Sequence, residues 1–274
     1  MEIKRPYEKL YIYLINGRVD KTEESLFGQN FIGTWIEEDS SFLFFSEPDD
    51  SKIDRLLLSS PDLELADKFQ FTYEEWQGGN VEPVRVGIFL VTPPWMRPCN
   101  EEGMLTIQLD PGVVFGNCLH PTTRDCLKAI SFANVQKPFK SMIDLGTGTG
   151  VLAIAGACLG AYRVLAVDLN PLSVKTASKN VELNKLDGIV KVKEGRAEDF
   201  LNEEADLVVA NIHYDVICRL IEEEGFCRKQ GAVFSGLLRS QWAEIQTKLV
   251  SKGFHVIREW DYNMTWFTAF VARF

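Results

Sequence analysis

The sequence predicts an α/β fold: a doubly wound sheet of seven strands, preceded by a smaller α+β domain. Three observations carry that expectation. From residue 120 onward, strand-like stretches alternate with helix-like stretches of 10 to 16 residues. One of those strands runs straight into three glycines spaced by single threonines, Gly146-Thr147-Gly148-Thr149-Gly150. Before residue 100 the texture differs, being mixed strand with little helix. The 274 residues suffice for two domains. The expected division is 1–100 for the small domain, 101–119 for a linker and flap, and 120–274 for the large one.

In chain order, EKLYIYLIN (8–16) reads as a strand closed by the turn Asn16-Gly17. FIGTWIEEDSSFLFFSE (31–47) reads as two strands around an acidic-serine turn, and SKIDRLLLSS as a short helix. FQFTYEEW is expected to be a further strand. VEPVRVGIFLVTPPW is expected to be another, stopped where Pro93-Pro94 lacks amide protons for a ladder. Trp95 then shapes the domain junction or packs as a hinge residue. NEEGMLTIQLDPG leads into His120-Pro121-Thr122-Thr123, which opens an amphipathic helix with Pro121 suited to its first turn. Next come SMIDLG as a strand, VLAIAGACLGA as a helix, RVLAVDLN as a strand and PLSVKTASKNVELNKL as a helix. IVKVKEG, DLVVAN, GAVFSGLL, FHVIREW and WFTAFVARF complete the seven strands, and the aromatic residues of IREWDYNMTWFTAF are expected to pack the sheet.

Composition narrows the function classes. A formal net charge of -10 argues against non-specific binding to a phosphate backbone, and no lysine-arginine run or aromatic-basic stripe appears, so no direct nucleic-acid partner is expected. An acidic surface suits a basic partner and equally suits simple solubility. Six cysteines, Cys99, Cys118, Cys126, Cys158, Cys218 and Cys227, form no CxxC pair, and three histidines are too few for a His-based metal site. EEADL and EEEGF read as solvated turns or helix surfaces. The start MEIKRPYEKL has no long apolar region behind it, so it is not read as a signal peptide, and nowhere do 18 apolar residues run together. The expectation is a cytoplasmic protein in a reducing compartment, without structural metal or membrane span.

The glycine ladder is the first candidate site. Glycines let the backbone turn sharply and let a ligand approach, and the helix after them presents free amide groups. Such a loop can cradle a nucleotide or a carboxylate-bearing nucleoside. The next strand ends at Asp168, 22 residues after Gly146, where an acid can accept hydrogen bonds from both ribose hydroxyls. The dinucleotide pattern GxGxxG fails in both registers, at Val151 and at Ala153, and the phosphate-gripping GxxxxGK[ST] is absent.

The spacing Asp144-x-Gly146-x-Gly148-x-Gly150 instead resembles the first motif of class I S-adenosylmethionine-dependent methyltransferases. That resemblance implies a Rossmann-like methyltransferase sheet and S-adenosylmethionine as cofactor. It implies Asp144 near the methionine part, Gly146, Thr147, Gly148 and Gly150 beneath it, and Asp168 on the ribose. After the third strand, Gly195-Arg196-Ala197-Glu198-Asp199 departs from the usual acid directly after the glycine; Ala197 or Glu198 would line the adenine pocket. The amine-directed members of the family place an asparagine where DLVVAN ends, so Asn211 would receive the incoming amine's hydrogen. Tyr214 is similar by position to the aromatic residue of the NPPY arrangement, although both prolines are missing. His213 is a base or a polar wall.

The stretches LDPGVVFGNCLHPTTRDCL, MIDLGTGTGVLAIAGACLGA, DLNPLSVKTASKNVELN, DLVVANI and FSGLLRSQ together resemble the bacterial methyltransferases of ribosomal protein L eleven, over roughly residues 105–274. The HPTT segment is the specific part, since methyltransferases in general lack it. By that resemblance His120, Thr122 and Thr123 border the cofactor pocket, with Thr123 a ligand contact. Phe115 and the loop through Leu119 lie over the active site, and Ser235-Gly236 forms its far wall. The family methylates terminal and lysine amines of a basic protein, gripped by a separate N-terminal domain. Two departures fall on the substrate side: the family's FGTGTHPTT is Phe115-Gly116-Asn117-Cys118-Leu119-His120-Pro121-Thr122-Thr123 here, and its NILA is Asn211-Ile212-His213-Tyr214. The expected function is N-methyl transfer to protein amines. The alternatives are the same chemistry on another protein or a small molecule, and a non-catalytic nucleoside-binding module, which the intact Asn211 opposes.

Overall fold

The structure, a computed structural model, describes residues 5–96 and 102–273. The chain divides into two compact units, Met1–Val81 with Asn170–Leu172, and Glu82–Leu169 with Ser173–Phe274. The division therefore falls at 81/82 and not at residue 100, and the described residues between 82 and 119 belong with the larger unit.

The smaller unit is an antiparallel sheet of β1 (Lys9–Asn16), β2 (Phe31–Glu37), β3 (Ser40–Phe45) and β4 (Glu64–Thr72), in the order β2-β3-β1-β4. Alternate residues Tyr13 and Ile15 of β1 and Leu43 and Phe45 of β3 face the helix α1 (Asp50–Ser59), which buries Ile53 and Leu56, three apart, against them. FQFTYEEW is not one strand. Thr72 ends β4 and caps a short helix α2 (Tyr73–Gln77): its hydroxyl accepts from the Glu75 amide at 3.2 Å, while Glu75 accepts from the Thr72 amide at 2.7 Å. That reciprocal pair satisfies two helix-start amides that a strand would have left to a ladder.

In the larger unit, VEPVRVGIFLVTPPW also breaks in two. β5 (Val84–Val86) and β6 (Phe89–Thr92) form a hairpin around Gly87-Ile88, and β7 (Leu105–Gln108) adds to β6 in parallel. The main sheet follows with β8 (Ser141–Leu145), β9 (Arg163–Asp168), β10 (Val190–Glu194), β11 (Leu207–Asn211), β12 (Gly231–Leu238), β13 (His255–Tyr262) and β14 (Trp266–Ala272). These are the seven strands expected from the alternation. Their order is β10-β9-β8-β11-β12-β14-β13, with β14 inserted antiparallel between β12 and β13.

Because both of their faces are covered, the central strands read as nearly continuous apolar runs. Met142, Val164, Val209 and Val233 point to α3 (Pro121–Gln136), α4 (Val151–Cys158) and α5 (Pro171–Leu183). Ile143, Leu145, Val208 and Ala210 point to the opposite face, under α6 (Tyr214–Glu222), α7 (Glu224–Cys227) and α8 (Arg239–Ser251). The strand order reverses between β8 and β11, and at such a switch point the connections diverge and leave a crevice at the carboxyl ends of the strands. No helix among the described residues is long and apolar enough to cross a membrane.

Asn180 on α5 and Asn184, one residue past its end, fasten β7 and the segment after it to this layer. Asn184 accepts from the Gln108 amide at 2.9 Å and donates to its carbonyl at 2.6 Å. Asn180 does the same for Asp110, at 2.8 Å in both directions, and donates also to the Thr149 carbonyl at 2.8 Å. Four helical residues advance about 6 Å and two extended residues about 6.6 Å, so side chains at i and i+4 can serve alternate residues of an extended segment. Asn180 is fully buried. Asn180→Ala strands one buried amide and removes a donor from two carbonyls, which is expected to cost about 2–4 kcal/mol. Asn184→Ala, at a half-buried position, is expected to cost less. Thermal and urea unfolding of the full chain measure both.

Candidate functional site at the sheet switch point

The carboxyl end of β8 leads into the glycine ladder. Asp144 is fully buried on the α4 face, where one carboxylate oxygen accepts from the Thr147 hydroxyl at 2.6 Å and from the Ala153 amide of α4 at 3.1 Å. Its other oxygen, Oδ1, has no hydrogen-bond partner. Burial pushes this carboxyl up to about 7, opposed by the two hydrogen bonds and reinforced by the charge of Asp168.

The loop itself is held by backbone. Gly146 and Thr147 both donate to the Val167 carbonyl, at 2.8 and 2.9 Å, and Gly148 donates to Asp168 Oδ2 at 2.9 Å. Gly146 and Gly148 have φ of 72° and 54°, where side chains are strained, and a Cβ would stand 2.0 Å from Ile212 Cγ2 and 2.4 Å from the Phe115 carbonyl oxygen. The glycines thus admit neighbouring protein on their Cβ side, and what they give a ligand is the shape of the loop.

A second wall comes from the first turn of α3. His120 caps the helix, its Nδ1 receiving the Thr122 amide at 3.4 Å and lying 2.8 Å from the Thr122 hydroxyl. That hydroxyl also accepts from Asn211 Nδ2 at 3.3 Å, so α3 and the end of β11 meet there. Thr123 is 1% exposed and its hydroxyl oxygen has no hydrogen-bond partner. Across β11, a Cβ on Gly236 would lie 3.2 Å from Asn211 Oδ1, and the Ser235 hydroxyl pairs with Thr268 at 2.5 Å.

The segment before α3 closes over the glycines. The Phe115 carbonyl accepts from the Thr149 amide at 3.0 Å, and the Gly116 carbonyl accepts from the Thr149 hydroxyl at 2.9 Å. The half-exposed Phe115 ring meets His120 edge-on at 5.3 Å, and Trp266 of β14 meets the same imidazole at 5.4 Å. Leu119 donates its amide to Asn117 Oδ1 at 2.9 Å.

Not all the residues expected at the site converge. Asn211, Thr122, Thr123, Asp144, Gly146, Thr147, Gly148, Gly150 and Asp168 surround the switch point. His213 stands exposed at the start of α6, 3.5 Å from Asp215. Tyr214 packs into the opposite layer, and its hydroxyl engages Glu244 of α8, which pushes its pKa up. Ala197 starts a 3-10 turn after β10 and rests on that same opposite layer. Glu198 is committed to Arg219 at 2.7 Å and held below the usual carboxylate range by Arg219 and Arg196. Asn180 and Asn184 were not among the expected residues, although the i, i+4 asparagines of DLNPLSVKTASKNVELN were a signal for them. Among the described residues no cluster of His, Cys, Asp or Glu has the form of a metal site. Cys118, Cys126, Cys158, Cys218 and Cys227 are free thiols, and Cys99 lies outside the described residues.

A model of the family described as Ribosomal protein L11 methyltransferase (PrmA) matches residues 53–273. The chain belongs to that family. The match begins inside α1, so it takes in part of the smaller unit as well as the larger one. Ribosomal protein L11 methyltransferases of Anoxybacillus flavithermus and Syntrophomonas wolfei are 35% and 41% identical to it, over 73% and 65% of this chain. The matched stretch spans less than two thirds of those relatives, 65% and 58% of their lengths. The crystal structure of a ribosomal protein L11 methylase from Lactobacillus delbrueckii subsp. bulgaricus aligns with a TM-score of 0.60 at 29% identity, covering 70% of this chain and 98% of that one. The L11 methyltransferase family's flap pattern carries a glycine at the position of Cys118, and here Cys118 has a φ of 64° and is fully buried.

The raised Asp144 carboxyl has a consequence for stability. Between the ordinary carboxylate pKa near 4 and the folded value of about 7, the native chain keeps a proton that the unfolded chain has lost. Stability therefore falls as pH rises across that window and levels off above it. The slope attributable to Asp144 is expected to approach one proton, about 1.4 kcal/mol per pH unit at its steepest. Urea unfolding of Asp144→Asn beside the parent chain, from pH 4.5 to 8, is expected to show that slope removed.

Proposed function

We propose that this chain transfers methyl groups from S-adenosylmethionine to amines of a basic protein, with a ribosomal protein as the acceptor. The observation that carries the proposal is a pair of buried oxygens without protein partners, Asp144 Oδ1 and Thr123 Oγ1, on two elements that border the switch-point crevice. A buried polar atom without a partner is costly, and a polar ligand with donors removes that cost.

S-adenosylmethionine, when bound, supplies an electrophilic methyl group on a sulfonium. The chain's part is to bind and align. Asp144 and Thr123 would hold the polar methionine end, the loop Gly146–Gly150 would shape the floor, and Asp168 at the end of β9 would accept from ribose hydroxyls. Asn211 would direct its carbonyl oxygen at the incoming amine, which fixes the nitrogen lone pair toward the methyl group. In-line displacement by a neutral amine needs alignment and exclusion of water more than a strong base. Neither the solvent-facing His213 nor the Glu244-bound Tyr214 has a proton-handling part in this reading.

The acceptor class is supported by charge. Residues 1–81 hold 17 of the 39 acidic residues and 8 of the 29 basic ones, so nine of the ten excess negative charges lie in this first segment. An acidic unit of this kind attracts a basic protein and repels nucleic acid.

Calorimetric titration with S-adenosylmethionine, with NAD as control, is expected to give micromolar binding of the former alone. At pH 6.5, repeated in buffers of different ionisation enthalpy, it is also expected to report proton release, because a docking cation draws Asp144 into its ionised form. Asn211→Ala is expected to keep binding within a few-fold while methyl transfer to ribosomal protein L11 falls by about 100-fold or more. Absence of S-adenosylmethionine binding overturns the cofactor assignment; full activity in Asn211→Ala overturns the role of Asn211.

A further inference from the structure

The hydrogen bonds at the start of α3 have a fixed direction. The Thr122 backbone amide can only donate, and it points to His120 Nδ1 at 3.4 Å. Nδ1 is therefore an acceptor, which leaves the ring proton on Nε2. The Thr122 hydroxyl, 2.8 Å from the same Nδ1, must then give its proton to the ring. With its proton so committed, Thr122 Oγ1 offers only lone pairs to Asn211, 3.3 Å away, and the amide nitrogen of Asn211 must be the atom that faces it. The amide oxygen of Asn211 faces the other way, on the side where Gly236 leaves room.

We infer that His120 is a positioning residue: its neutral Nε2–H tautomer, acting through Thr122, sets which end of the Asn211 amide faces the methyl acceptor, and its protonation releases that setting. This rests on the reading of Asn211 as the group that receives the amine. Protonation at Nδ1 turns the acceptor into a donor. It repels the Thr122 amide and frees the Thr122 hydroxyl to donate elsewhere, so Thr122 no longer demands the nitrogen end of Asn211. The surroundings favour the neutral ring. Phe115 faces it from the flap, Trp266 from β14 and Thr122 from its own helix. The charged side chains of the same turn are engaged elsewhere, Arg124 with the Cys118 carbonyl at 2.6 Å and Asp125 with Lys128 at 2.8 Å. Burial alone lowers the His120 pKa from its ordinary value near 6.5.

Long-range proton–nitrogen NMR spectra of the full chain, taken from pH 5 to 8, test this without any turnover. The expected result is the Nε2–H tautomer of His120, titrating below 6.5, with the Asn211 side-chain amide signals moving on the same curve. In His120→Asn, whose side-chain oxygen can cap the helix but cannot titrate, the Asn211 signals are expected to stay still. An Nδ1–H tautomer, or Asn211 signals that ignore the His120 titration, overturns the inference. Thr122→Val removes the link at nearly constant shape, and it is expected to uncouple the two titrations and lower kcat at least 10-fold. Thr122→Ser is expected to restore both. In the pH profile of kcat, the acid limb that follows His120 is expected to vanish in His120→Asn; its survival there overturns the inference. A chain that shows the tautomer and the coupling yet methylates no amine sinks the proposed function alone.

Discussion

The switch point depends on two backbones lying in direct contact. The flap through Phe115 and Gly116 rests on the glycine loop so closely that Gly148 has no room for a Cβ, and the Thr149 amide and hydroxyl bond to the two flap carbonyls. Asn180 then joins both segments from below, taking Asp110 on one side and Thr149 on the other. Without that approach the flap would have to satisfy its carbonyls in water, and the first turn of α3 would lose the segment that leads into it. At Gly148 the flap backbone takes the space a side chain would need, while Gly146 and Gly150 are closed off by Ile212 and Ala177.

The sheet was legible in the sequence because its central strands are buried on both faces and two of the helices that cover it begin with proline. Pro121 and Pro171 stand at the first positions of α3 and α5, and Asp144, Asp168 and Asn211 mark where strands give way to loops. The small elements were not legible. Thr72-x-x-Glu75 is a capping box hidden inside an apolar run that alternates like a strand, and only the reciprocal hydrogen bonds reveal the helix. β5 and β6 are too short for their own periodicity, and a single glycine turn divides them. The division at 81/82 follows from the same hairpin, whose buried residues Val86, Phe89 and Val91 join the core cluster of α3 and α4.

At the site, position in sequence conveyed which residues sit at strand ends but not which way their side chains go. Asn211 and Tyr214 are three residues apart, and the strand-to-helix turn between them sends one to the α3 face and the other to the α6–α8 layer. Asn180 and Asn184 show the converse. In sequence they stand outside the glycine and acidic motifs, yet their four-residue spacing at the end of α5 matches the extended segment they hold, and the match appears only once helix and strand are laid side by side.

Cys118 illustrates how a departure from a family pattern is absorbed. Where the family carries a glycine, this chain carries a side chain in the left-handed region, a conformation that costs about 1–2 kcal/mol for a residue with a Cβ. The offsetting terms are local. The thiol is fully buried and, with its pKa pushed up to about 12, stays uncharged; the Asn117 side chain closes the turn on the Leu119 amide; and Arg124 bonds the Cys118 carbonyl. Burial of the sulfur contributes apolar stabilisation that glycine lacks. It also restricts the unfolded chain more than glycine does. The result is a flap anchored from within at the point where the family's glycine leaves it free to bend. A wall fixed there holds Phe115 against His120 before any ligand arrives, and the hydrogen-bond direction from His120 through Thr122 to Asn211 is set by the fold itself.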